Sequence, residues 1–107
     1  NSLVLPYVLR FNSVDSKAAS DYAELAPYVF PNLDTNKSVQ AVCAEFIDKM
    51  EDLSKRLGLP QKLREVDIPK EACKKMAKDA MKQTRLLVNN PREVTEKDAL
   101  NIYHSAW

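Results

Sequence analysis

SVQAVCAEFIDKMEDLSKRLGLP, residues 38–60, reads as one long amphipathic helix followed by a stop. Its apolar residues are Val39, Val42, Cys43, Phe46, Ile47, Met50, Leu53 and Leu57, separated by gaps of three, one, three, one, three, three and four. Those gaps put a single apolar stripe on a 3.6-residue period. A half-buried strand needs alternation at every second residue, which is absent here. Asp34, Thr35 or Asn36 is placed to cap the start of this helix. Gly58, the only glycine in the chain, suits the left-handed position just past its end, and Pro60 prevents continuation.

The same period extends outward on both sides. Residues 2–12 carry Leu3, Val4, Val8 and Phe11 at helical spacing, with Pro6 in the first turns, where a missing N–H is tolerated. Residues 16–30 hold Ala18, Ala19, Tyr22, Leu25, Ala26 and Val29; Pro27 is expected to end or kink that helix and Pro31 to close it. Residues 59–68 form a connector packing through Leu63 and Val66, after which Asp67 caps a further helix with Pro69 near its first turn. That helix, running on to about residue 86, shows a narrow stripe of Ala72, Cys73, Met76, Ala77, Ala80 and Met81, small enough for close helix approach. NNPREV, residues 89–94, is a turn by composition. Thr95 and Asp98 then form a capping box ahead of a last helix with Ala99, Leu100, Ile102, Tyr103 and Ala106 inward. The expected fold is all-α, a bundle of five to six helices within a single helical domain over residues 1–107.

Composition narrows the function classes. The 107 residues are 45% hydrophobic and 29% charged, as in an ordinary soluble globule. Sixteen Lys and Arg against fifteen Asp and Glu leave a net charge of +1, which supplies no drive toward nucleic acid or an anionic membrane. Lys74, Lys75 and Lys78 read as the solvated face of a helix. One glycine among six prolines argues against β-hairpins and against a glycine-rich phosphate loop. Cys43 and Cys73 lack C-x-x-C spacing and sit among apolar neighbours, so they read as reduced core residues of a cytoplasmic protein. No run reaches membrane-spanning length, and LVLPYVL lacks the basic flank of a signal peptide.

The residues offer little catalytic chemistry. His104, the only histidine, cannot build a metal cluster without partners from elsewhere and suits the positive charge favoured at a helix C-terminus. Asp48, Glu51 and Asp52 lie amid Lys49, Lys55 and Arg56, the spacing of surface ion pairs and not of an acid/base pair. No catalytic residue and no metal ligand is assigned.

Two stretches carry a family resemblance. NNPREVTEKDALNIYHSAW, residues 89–107, resembles the terminal signature of the iron-containing (group III) alcohol dehydrogenases, an N-P-R-x-x-T turn leading into D-x-x-x-x-Y-x-x-A-W. Asn90, Pro91, Arg92, Thr95, Asp98, Tyr103, Ala106 and Trp107 fill it. NSLVLPYVLRFN, residues 1–12, resembles the family's N-A-x-x-L-P-H-V-x-x-F-N helix, with Tyr7 where many members have His. LGLPQKLREVDIPKEACKKMAKDAM, between them, is similar to the family's pattern there, and the tail is like that of lactaldehyde-reductase-like members.

The resemblance implies the helical C-terminal domain of a dehydroquinate-synthase-like fold. It implies NAD(P)-linked interconversion of small alcohols and aldehydes, with iron or another divalent metal polarising the substrate oxygen. The metal ligands it implies, an Asp and three His, lie upstream, the last in an H-G-x-x-N-A motif whose Asn matches Asn1. The fragment alone is therefore expected to bind neither metal nor NAD(P) and to be inactive. Its implied partners are an N-terminal nucleotide-binding domain and a second copy in a homo-oligomer, with an apolar patch along residues 2–12 promoting self-association. Leu86 aligns near a position that some members fill with Cys close to the cofactor, so Leu86 and Leu87 are candidate pocket-wall residues; a core role at the end of their helix is the other reading. Arg92 is expected to anchor its turn through carbonyls, and Tyr7 to be a variant packing position. A free-standing helical interaction or scaffold module without catalysis stays open beside the dehydrogenase reading.

Overall fold

The computed structural model describes residues 2–107, so the Asn1 match lies outside the described residues. The described residues form six α-helices and one 3₁₀ turn, with no strand. The helices are α1 (Leu5–Asn12), α2 (Ser16–Val29), α3 (Val39–Arg56), α4 (Ala72–Ala80), α5 (Thr84–Asn89) and α6 (Glu96–Ala106); the 3₁₀ turn is Leu63–Val66. The all-α reading and the helix number agree with the sequence pattern.

Two helix pairs, α2 on α3 and α4 on α6, are bridged by α1, which packs on both α3 and α6. Each pair has its own core. Ala19, Ala26, Leu33, Val42, Cys43, Phe46 and Ile47 form the first, with the Phe30 and Phe46 rings edge-on at 6.0 Å. Leu63, Cys73 and Ala106 form the second, closed by Tyr7, Tyr103 and Trp107 among others. The result is a slab of 42 × 31 × 19 Å. Its thickness is about that of two helix diameters.

Local signals explain most boundaries, and three depart from the sequence reading. Ser38 caps α3, its hydroxyl accepting from Ala41 N at 3.2 Å, in place of Asp34, Thr35 or Asn36. The Asp34 carboxylate is instead taken by Asn36 N in the preceding turn. At the other end Gly58 adopts φ 74°, with Leu59 N bonding Ser54 O and Gly58 N bonding Lys55 O. This is the double closure of a Schellman motif. Asp67 does not cap α4; it ends the 3₁₀ turn in the left-handed region at φ 61°, a conformation Asp tolerates better than most residues. The helix expected to reach residue 86 breaks after Ala80. Lys82 N and Gln83 N bond carbonyls only three residues back, which tightens the chain and redirects it into α5.

Burial is narrower than the apolar stripes implied. On α2 the residues facing α3 are small, Ala19 and Ala26, so the helix approaches closely and leaves Leu25 and Val29 exposed. Pro27 lies inside α2 without ending it. It sits in the last turn, where the helix continues only to Val29. Leu63 is buried as expected, but Val66 of the same turn is exposed.

Candidate functional site

The cleft between α1, α5 and α6 is the most apolar concavity that the residue pattern leads to. Val4, Val8 and Phe11 line one wall at helical spacing, and Ala99, Ile102 and Tyr103 line the opposite one. Leu86 and Leu87 of α5 and Val94 complete a hollow of about 450 Å³. Its polar groups are few: Gln83, Asn90 and the Tyr103 hydroxyl. A packed core seldom leaves a void larger than a water molecule, so this space is a surface cleft and not a packing defect. Both candidate pocket residues therefore border one cleft. Leu86 is 69% exposed and Leu87 half-buried.

The N-P-R turn holds the cleft's far end. The Asn12 and Asn90 side-chain amides exchange two hydrogen bonds, Asn12 Nδ2 to Asn90 Oδ1 at 2.9 Å and Asn90 Nδ2 to Asn12 Oδ1 at 2.8 Å. Asn12 Nδ2 also reaches the Tyr22 hydroxyl at 3.1 Å, and Asn90 Nδ2 the Arg92 carbonyl at 2.6 Å. Arg92 anchors the turn through a carbonyl, as expected: Nη1 donates to Phe11 O of α1 at 2.8 Å. Its guanidinium carbon lies 3.9 Å from the Phe11 ring centroid.

On the other side of Phe11 lies a polar hollow of about 580 Å³, lined by Tyr7, Arg10, Arg92, Asp98, Asn101 and Ser105 among others. Tyr7 packs here as a structural residue, its hydroxyl donating to Gln61 O at 3.4 Å. Burial opposes the Arg10 charge, but hydrogen bonds to Glu51 and then Asp48 outweigh it and hold the guanidinium above its ordinary pKa. Arg10 meets Glu51 at 2.5 Å and Asp48 at 3.0 Å, so two carboxylates expected to pair along α3 pair with α1 instead. Asp52 does pair at helical spacing, with Arg56 at 2.8 Å. The Thr95 backbone N–H, then its hydroxyl, hold the Asp98 carboxyl below its usual range.

Metal chemistry finds no centre among the described residues. No group of three His, Cys, Asp or Glu converges on a position for a metal ion. The residues present thus do not fit the implied iron, and no step is derived through it. His104 is exposed beside Lys70, Glu71 and Lys74. Cys43 and Cys73 are free and buried, and burial pushes the Cys43 thiol up. Among the described residues no helix is long and apolar enough to cross a membrane.

Similar proteins were found at the levels of sequence and structure. The chain is 29% identical over 114 residues to lactaldehyde reductase of Escherichia coli (strain K12), covering 100% of this chain and 27% of that protein. It is 30% identical over 108 residues to 1,3-propanediol dehydrogenase of Citrobacter freundii, with the same shares covered. The alcohol dehydrogenase from Oenococcus oeni superposes with a TM-score of 0.84 at 29% identity, over 99% of this chain and 27% of that one. The chain thus spans about a quarter of the length of these relatives. Residues 1–107 match the family described as "Fe-containing alcohol dehydrogenase family, C-terminal", and the chain belongs to it.

Proposed function

We propose that this chain is the C-terminal helical domain of a metal-dependent, NAD(P)-linked alcohol dehydrogenase, and that its α1–α5–α6 cleft is one wall of the parent's substrate site. The observation that carries this reading is the family match over all 107 residues. The names of the similar proteins support the reaction class, since each describes transfer between a small alcohol and its carbonyl form. In this reading iron, or another divalent metal, and NAD(P) are held outside these residues, by an N-terminal nucleotide-binding domain and the segment joining it. Leu86, Leu87, Val4 and Val8 exclude water from the carbon chain of the alcohol or aldehyde. The chain alone is inert, and the parent is a cytoplasmic homo-oligomer.

The test is an assay of the full-length parent against a panel of small alcohols with NAD and with NADP. Alcohol-dependent formation of reduced cofactor, lost on chelation and restored by ferrous iron, is the expected result. A full-length parent that turns over no alcohol or aldehyde with either cofactor overturns the reading. Stoichiometric iron in the purified 107-residue chain, by elemental analysis, overturns its inertness separately.

A further inference from the structure

We propose that Asn12 and Asn90 are positioning residues whose paired amides latch the C-terminal end of α5 to α1 and so set the cleft wall that carries Leu86 and Leu87. The importance of that wall rests on the function proposed above. The latch rests on geometry alone.

Helix α5 needs such a device because little burial fixes its direction. It is six residues long and buries no residue. Isolated helices shorter than about 12 residues are marginal in water, so propensity does not hold it. It is not among the extensively packed helix pairs, so tertiary burial adds little to holding it. Its N-terminal end follows the tightened turn at Lys82 and Gln83, where Gln83 has ψ 58°, outside the helical region. Its direction is therefore set at its C-terminal end, and Asn90 is the residue immediately past that end.

Each side-chain amide offers donors and an acceptor, so two Asn residues can exchange hydrogen bonds face to face. Neither Asp nor Leu can do so. The pairing spans 78 positions in sequence, and Asn12 is 2% exposed, the only buried polar residue among those described. Removing the Asn90 amide leaves buried Asn12 with the Tyr22 hydroxyl on Nδ2 and without the donor to its Oδ1, a loss water cannot make good in the closed state. The remaining bonds spread the tie: Tyr22 fixes Asn12 from α2, and Arg92 clamps the next turn to the end of α1. A merely structural staple would support the whole slab evenly. A positioning latch acts chiefly on α5, because the α2–α3 core is held by apolar contacts, Leu9 of α1 among them, that involve neither Asn12 nor Asn90.

Residue-resolved amide hydrogen exchange on the purified 107-residue chain separates the two. The variants are Asn90→Ala, Asn90→Asp, which keeps the shape and removes the donors, and Asn12→Asp. The expected result is a loss of protection of about tenfold or more at Leu86, Leu87 and Asn90 (for Asn90 variants, at the substituted amide), with less than about twofold change across α2 and α3. Unchanged exchange in α5 overturns the latch. Equal loss in α5, α2 and α3 overturns the positioning role and leaves only a staple. If the buried Asn12 variant unfolds, the half-buried Asn90 variants decide. A parent without alcohol turnover but with this exchange pattern would refute the proposed function and leave the latch standing.

Discussion

Arg92 joins two interactions that only a planar guanidinium can make at once. Nη1 donates to Phe11 O while the guanidinium carbon lies 3.9 Å from the Phe11 ring centroid. Lysine keeps the charge but loses the planar fork and the stacking. Arg92→Lys is expected to cost about 1–2 kcal/mol, since a charged hydrogen bond and a cation–π contact are both weakened at a half-buried site. Thermal melts check this, with an expected fall of several degrees; a variant melting with the wild type would show that the clamp contributes nothing. Asp98 makes a different prediction. Its folded pKa is depressed, first by the Thr95 backbone N–H and then by the Thr95 hydroxyl. Its contribution to stability is therefore present above the ordinary Asp range, about 3.9, and is lost as pH falls through the depressed folded value. Asp98→Asn is expected to flatten the acid limb of a urea-midpoint titration. An acid limb identical to the wild type would refute the assignment.

Helices whose boundaries depend on neighbouring residues are legible from sequence, and those whose boundaries depend on distant residues are not. The centre of the α3 stripe (Val42, Cys43, Phe46 and Ile47) is buried as its spacing implied, and the Thr95–Asp98 box forms as written. Gly58 shows the strength of a local signal. Its φ of 74° costs an L-residue about 1–2 kcal/mol, and no atom lies within 4 Å of an added Cβ, so backbone strain is the whole penalty. Gly58→Ala is expected to destabilise the chain by about 1 kcal/mol in urea unfolding, with an unchanged m-value; a neutral result would mean the Schellman closure does not constrain α3. By contrast, the break between α4 and α5 involves no Gly or Pro, and residues 81–83 explain it by no residue type. The apolar pattern puts Leu86 and Leu87 on one long helix, whereas the structure carries them on the separate α5. The Asn12–Asn90 pair was invisible for a further reason. Both residues stand in motif positions, yet only folding shows that they meet.

The whole molecule carries more surface than its mass requires. Its accessible area is 7209 Å², against roughly 6,100 Å² for a compact monomer of 12.2 kDa. Its radius of gyration is 14.6 Å, against about 13 Å for a compact chain of this length. The excess, on the order of 1,000 Å², is similar to what one partner contributes to an ordinary protein interface. Part of it is apolar: Leu5 is exposed on α1, and Leu86, which lines the cleft, and Val88 are exposed on α5. Exposed apolar surface of this kind drives association. The purified chain is expected to show concentration-dependent association in sedimentation velocity. Leu86→Lys together with Val88→Glu is expected to return it to monomer without lowering its melting temperature, because neither side chain is buried. Two outcomes would count against this account of the slab: a wild-type chain that stays monomeric up to millimolar concentration, or a double variant that associates as strongly as the wild type. In the second case the sticky surface would lie elsewhere, on the exposed Leu25 and Tyr28 of α2.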